Sequence, residues 1–115
     1  MDIIKVVKPW GFFMQFGAGA SSTVKVIHVS PGHGLSLQSH RHRDEFWTVL
    51  EGRPTITLGR RTAEYAPGSE VRIPKCERHR LVNATDSEVR ILEISTGKFD
   101  EDDIVRYEDR YGRVK

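Results

Sequence analysis

The densest set of ligand-type side chains lies in the run Gln38-Ser39-His40-Arg41-His42-Arg43-Asp44-Glu45, and a further histidine follows in Cys76-Glu77-Arg78-His79. Neutral imidazole plus carboxylate is a common zinc, manganese or iron ligand set, and a Gln oxygen can replace one imidazole without adding charge. Alternate side chains of a strand share a face, so Gln38, His40 and His42 point the same way. Glu45 has the opposite parity, so the chain must turn or bulge before it, with Arg43-Asp44 as the expected place. Glu45 then shares its face with Trp47 and Val49, and His79 shares its face with Leu81. A carboxylate among such apolar neighbours costs several kcal/mol if unpaired, a cost that a divalent cation removes. Any single histidine is more readily a surface or hydrogen-bonded residue. The case for an ion rests on Gln38, His40, Glu45 and His79 together.

The elements that must bring these residues to one point are short strands. Val24 to Val29 is β-rich and stops at Ser30-Pro31-Gly32. Leu35 to Arg41, Glu45 to Leu50, Pro54 to Leu58, Thr62 to Tyr65, Val71 to Ile73, His79 to Val82 and Val89 to Ile94 follow, punctuated by Gly52, Gly59, Pro67-Gly68 and Asn83 to Ser87. Such regular spacing predicts an all-β sandwich or barrel. Helical periodicity is absent before residue 99, and only Asp100 to Tyr107 is expected to form a turn or two of helix, capped by Asp100, in an otherwise irregular tail over 99–115. Within residues 1–20, the apolar Ile3, Ile4, Val6, Val7, Phe12, Phe13 and Phe16 exceed the needs of one small barrel. We expect this segment to add strands to a neighbour's sheet and make a homodimer.

At 115 residues the chain is one domain with one core. A net charge of +2 with 30% charged residues of mixed sign gives no field that calls for nucleic acid or anionic lipid. No apolar run reaches the length of a membrane span, and Met1-Asp2-Ile3-Ile4-Lys5 charges too early for a signal segment. A lone Cys76 fits a reducing compartment, so the cytoplasm is the expected location.

The spacing carries more than the residue types. Gly32 is followed after five residues by Gln38-Ser39-His40, after four more by Glu45, and after six more by Gly52. Gly68 is followed after five residues by Pro74-Lys75-Cys76, after two more by His79, and after three more by Asn83. This pair of patterns resembles the cupin motifs G-x5-H-x-H-x3,4-E-x6-G and G-x5-P-x-G-x2-H-x3-N. The resemblance implies a single jelly-roll β-barrel holding one divalent metal ion, zinc first, with manganese, iron or cobalt as alternatives. Two registers compete. His40-Arg41-His42 looks like H-x-H but leaves only two residues before Glu45, whereas Gln38-Ser39-His40 leaves four. We take Gln38, His40, Glu45 and His79 as ligands, with His42 beside the site or exchanging with Gln38. Cys76 stands where the motif has Gly, as a small turn residue rather than a fifth ligand, in a turn adjusted to it.

A narrower resemblance covers nearly the whole chain. Lys8-Pro9-Trp10-Gly11, Leu35-Ser36-Leu37-Gln38, Glu51-Gly52, Glu101 to Arg106 and Asp109-Arg110-Tyr111-Gly112-Arg113 are similar to the type II phosphomannose isomerases. In that family this unit is often the C-terminal half of a bifunctional enzyme making GDP-mannose. The Leu-Ser-Leu-Gln-x-His run also resembles the zinc site of the type I isomerases, which supports the chosen register. The likeness implies interconversion of mannose 6-phosphate and fructose 6-phosphate, moving a proton between C1 and C2 through a cis-enediolate. A metal would stabilise that anion and a positioned acid/base would move the proton. Lys25 and Glu93 are the candidates for proton transfer, the alternative being a plain cross-strand ion pair. For the phosphate the candidates are Arg106, then Arg43, whose forked donors suit it, unless Arg106 merely pairs with Asp102 or Asp103. A cupin dioxygenase, a metal-independent sugar-nucleotide epimerase and a non-catalytic sugar- or metal-binding cupin are the other classes considered.

Overall fold

A computed structural model describes residues 3–18, 22–98, 100 and 102–113, with side chains at 17 and 18 left aside. The β-branched and aromatic runs form eleven strands: β1 Ile3–Lys8, β2 Gly11–Ala18, β3 Ser22–Val29, β4 Leu37–Ser39, β5 Arg43–Glu51, β6 Thr55–Leu58, β7 Arg61–Glu64, β8 Glu70–Ile73, β9 His79–Val82, β10 Val89–Gly97 and β11 Val105–Glu108. They make a six-stranded sheet in the order β1-β2-β3-β10-β5-β8 and a five-stranded sheet in the order β11-β4-β9-β6-β7. Every pairing between these strands is antiparallel, so side chains alternate between the space between the sheets and the outside.

That alternation divides the interior into an apolar floor and a polar mouth. Across β3, β10 and β5, Ile27, Ile91 and Val49 form one inward row, and Val29 and Val89 lie one step deeper. All five are buried, and Trp47, Ile56, Ile73 and Leu81 pack with them. One step the other way along the same strands the row is Lys25, Glu93 and Trp47, and one further it is Thr23, Ser95 and Glu45. These are buried as well. On the facing sheet, β4 is paired on one side with β11 and on the other with β9, which puts Arg106, Gln38 and His79 in one row. The polar ends of the two sheets therefore face each other.

One expectation changes. Among the described residues there is no helix, and the tail supplies β11 instead. Asp100 does make the capping-type bond, since its Oδ1 accepts from the Asp102 amide and its carbonyl from the Asp103 amide, but these close a turn. Val105-Arg106-Tyr107-Glu108 pairs instead with the open edge of β4, whose backbone groups it satisfies. At the other end of the chain, β1 and β2 form a hairpin that joins β3, with β1 outermost and Ile3, Ile4 and Val7 exposed.

Candidate metal centre

The chain passes from one sheet to the other between Ser39 and Arg43, and this crossing decides which histidine faces inward. Asp103 accepts the amide hydrogens of both Arg41 and His42, each at 2.9 Å, and bends the backbone there. His40 stays buried, whereas His42 is turned out to the surface beside Asp100, Asp102 and Asp103. The break thus falls at residues 40–42, ahead of the expected Arg43-Asp44, and Arg43 already shares the inward face of Glu45. At the far end of β10, Gly97 lies against this crossing, where a Cβ would come within 2.5 Å of the His42 carbonyl oxygen. Cys76 takes φ 68 and donates its amide to the His40 carbonyl at 2.7 Å, so the turn ahead of His79 keeps the left-handed residue that glycine would supply. Its side chain is exposed, as expected of a turn residue.

Three ligand-type side chains converge. Glu45 Oε1 lies 3.3 Å from His79 Nε2, Glu45 Oε2 lies 3.6 Å from His40 Nε2, and all three groups are within 4.8 Å of one another. Each imidazole is fixed from behind: His40 Nδ1 donates to the Asp103 carbonyl at 2.7 Å and His79 Nδ1 to the Glu77 carbonyl at 3.0 Å. A carbonyl can only accept, so both rings carry their proton on Nδ1 and present an Nε2 lone pair to the centre. The result is two acceptors facing each other, and both Glu45 Oε1 and His79 Nε2 are buried without a hydrogen-bond partner. A cation between them resolves that conflict. An ion with tetrahedral bonds of about 2.1 Å keeps its ligand atoms about 3.4 Å apart, which matches the observed separations. The residues fit a divalent metal.

The electrostatics agree. Burial lowers the pKa of His40, with Arg43 and His79 reinforcing it against Glu45, so the ring stays neutral, as a ligand must be. Burial would raise the Glu45 carboxyl, but its contact with His79 and the nearby His40 and Arg43 hold it at about 2, ionised as a ligand must be. Gln38 lines the same hollow, its Oε1 accepting from Ser36 Oγ at 2.7 Å, with a second lone pair left on that oxygen.

The other candidates are distributed as follows. Lys25 and Glu93 are buried cross-strand partners on the hollow's wall. Glu93 accepts from Trp47 Nε1 at 3.0 Å and from Ser95 Oγ at 3.3 Å. Burial, aided by the Glu45 charge, pushes its pKa up to about 7 against the pull of Lys25, Arg43 and Trp47. Arg106 lines the same hollow. Arg43 also lines it, but as part of the cage: its Nε donates to Glu45 Oε2 at 3.1 Å, one NH2 group lies 3.4 Å from His40 Nε2, and the other donates to the Asp100 carbonyl. Its placement supports a partner for the ligands more than a hand for a phosphate. Sequence reasoning missed Asp103 and Ser95, and the inward parity that Arg43 shares with Glu45 was its available signal. His42 is placed away from the cage.

Residues 2–109 match the family described as mannose-6-phosphate isomerase C-terminal. The mannose-1-phosphate guanylyltransferase ManC of Salmonella typhimurium is 39% identical over 96% of this chain, which covers 23% of that protein. The xanthan biosynthesis protein XanB of Xanthomonas campestris is 40% identical, with 96% of this chain and 24% of that protein covered. The chain thus spans about a quarter of the length of these relatives. A cupin-2 domain structure from Rhodospirillum rubrum shares the fold with a TM-score of 0.72 at 20% identity, covering 87% of this chain and 72% of that one.

Proposed function

Because the chain belongs to the mannose-6-phosphate isomerase C-terminal family, we propose that it is a divalent-metal-dependent aldose–ketose isomerase, interconverting mannose 6-phosphate and fructose 6-phosphate in the cytoplasm. The observation that carries this reading is the meeting of two functions in one hollow. A buried cage of two histidines and a glutamate lies beside Glu93, a carboxyl poised to gain or lose a proton near neutrality. When bound by His40, Glu45 and His79, with Gln38 alongside, a metal such as zinc would supply the Lewis acidity that polarises the sugar's carbonyl oxygen.

The remaining chemistry belongs to the chain's own side chains. Glu93 takes the proton from one sugar carbon and returns it to the neighbour, a task that needs a pKa near the working pH. Trp47 fixes Glu93 Oε2, which orients the other oxygen. Lys25, paired with Glu93 across β3 and β10, offsets the negative charge that grows as the proton leaves. Arg106 reaches the same hollow from β11 and supplies the forked cation for the phosphate. Ile27 and Phe13 give the hollow an apolar wall on that side.

The test is an isomerisation assay on zinc-loaded protein with mannose 6-phosphate and with unphosphorylated mannose. Turnover of the phosphorylated sugar alone, abolished in Glu93→Gln with metal retained, is the expected result. Stoichiometric metal without turnover of either sugar would leave a sugar- or metal-binding cupin module, and oxygen uptake with iron would favour a dioxygenase.

A further inference from the structure

The cage is braced by the tail. Asp100 and Asp103 meet the crossing at 40–43 through four hydrogen bonds that link two segments about sixty residues apart. The Asp103 carboxylate holds the Arg41 and His42 amides, the Asp103 carbonyl accepts from His40 Nδ1, and the Asp100 carbonyl accepts from Arg43. The Lys98 amide adds a bond to the His42 carbonyl. Beyond the turn, β11 continues along β4 with Arg106 opposite Gln38. One residue, Asp103, therefore does three things at once. It bends the crossing so that His40 faces in and His42 out, it fixes which nitrogen of His40 carries the proton, and it anchors the strand bearing Arg106.

We propose that Asp103 is a positioning residue for the metal ligand His40, and that docking of the 100–108 tail and metal binding strengthen each other. The inference rests on the metal reading above. Its logic is that of linkage. If the docked tail holds His40 in the tautomer and orientation that bind the ion, the ion must stabilise the docked tail by the same factor. Partners behind a ligating histidine are worth roughly 10- to 100-fold in metal affinity. The carbonyl that meets His40 survives truncation of the Asp103 side chain, and what is lost is the carboxylate's hold on the Arg41 and His42 amides just after His40, so the loss falls toward the lower end of that range. Asp102 is the internal control. It is an exposed acid in the same turn, and no hydrogen bond or ion pair of its carboxylate is found among the described residues.

Zinc affinity, measured by competition with a chromophoric chelator on the intact chain, separates the possibilities. Asp103→Ala is expected to weaken zinc roughly 10-fold, Asp103→Asn less because one oxygen still accepts, and Asp102→Ala by less than about twofold. Equal weakening by Asp102→Ala and Asp103→Ala would reduce the effect to loss of negative charge and overturn the proposal. So would wild-type affinity in Asp103→Ala. If the wild type itself bound no zinc, the metal reading would fall first, which is a distinct result. Should Asp103→Ala not fold, hydrogen exchange on the wild type decides. Zinc is expected to slow exchange of the β11 amides well beyond any change in the β1 amides, and equal slowing in both strands would overturn the coupling.

Discussion

Replacing Glu93 by Gln probes the buried carboxyl without using activity. Gln preserves the shape and keeps an oxygen for Trp47 Nε1, which now stands 3.0 Å from the Glu93 carboxylate. The Glu93 pKa rises from the ordinary 4.5 to about 7, mainly through burial and next through the Glu45 charge. Between those values the native state holds a proton that the unfolded chain has released. Stability from this group is therefore complete below about pH 4.5 and is lost as pH climbs through about 7, at a total cost of roughly 3 kcal/mol. His40 works in the opposite sense: its lowered pKa adds stability as pH rises toward that of a free imidazole, above which the gain is complete. It is present in both proteins and drops out of the difference. Urea unfolding of chelator-treated wild type and Glu93→Gln at about pH 5 and about pH 8 should show the wild type losing about 2 to 3 kcal/mol relative to the variant across that interval. Parallel curves would mean that Glu93 is ionised throughout, and its role as the proton carrier would have to be abandoned.

Three further perturbations address other parts of the site. His79→Ala removes the β9 ligand, the histidine whose Nε2 faces Glu45 Oε1, so metal content by elemental analysis should fall from stoichiometric to near zero, and retained metal would refute the assignment. Arg106→Ala should raise KM for the sugar phosphate roughly 10- to 100-fold with kcat little changed, since a charged hydrogen bond to the phosphate exists before and during proton transfer. A fall in kcat at constant KM would move Arg106 into the chemistry. Cys76→Gly relieves a left-handed φ of 68 at an exposed turn, so the urea midpoint should rise, by about 1 kcal/mol of stability, and a decrease would mean that the thiol is contributing contacts.

The parts legible in the sequence were those governed by local rules. The strand at His79–Val82 follows from alternation alone, and the inward pairing of Glu45 with Trp47 and Val49 follows from parity. The choice of Gln38-Ser39-His40 over His40-Arg41-His42 agrees with the observed burial of His40 and exposure of His42. What alternation does not report is a strand leaving one sheet for the other. The crossing at 40–42 is bent by an aspartate about sixty residues away, and nothing in the local run announces it. The tail failed for a related reason: its helix-start signal at Asp100 is real, but the vacant edge of β4 is a tertiary fact that outweighs one turn of propensity. Arg43 illustrates a third limit. Its inward parity could be read, but whether an inward arginine meets a substrate or a ligand depends on a distance, here 3.1 Å to Glu45.

The account stands or falls on whether the metal-loaded hollow moves a proton between adjacent sugar carbons. Fructose 6-phosphate incubated in deuterated water with the zinc-loaded protein, and followed by NMR, reports this directly. The account predicts mannose 6-phosphate carrying deuterium at C2, formation that stops on chelation and resumes when zinc, manganese, cobalt or iron is restored, and no exchange with Glu93→Gln. Protein that holds a stoichiometric ion yet leaves both the sugar phosphate and its carbon-bound hydrogens unchanged would contradict it.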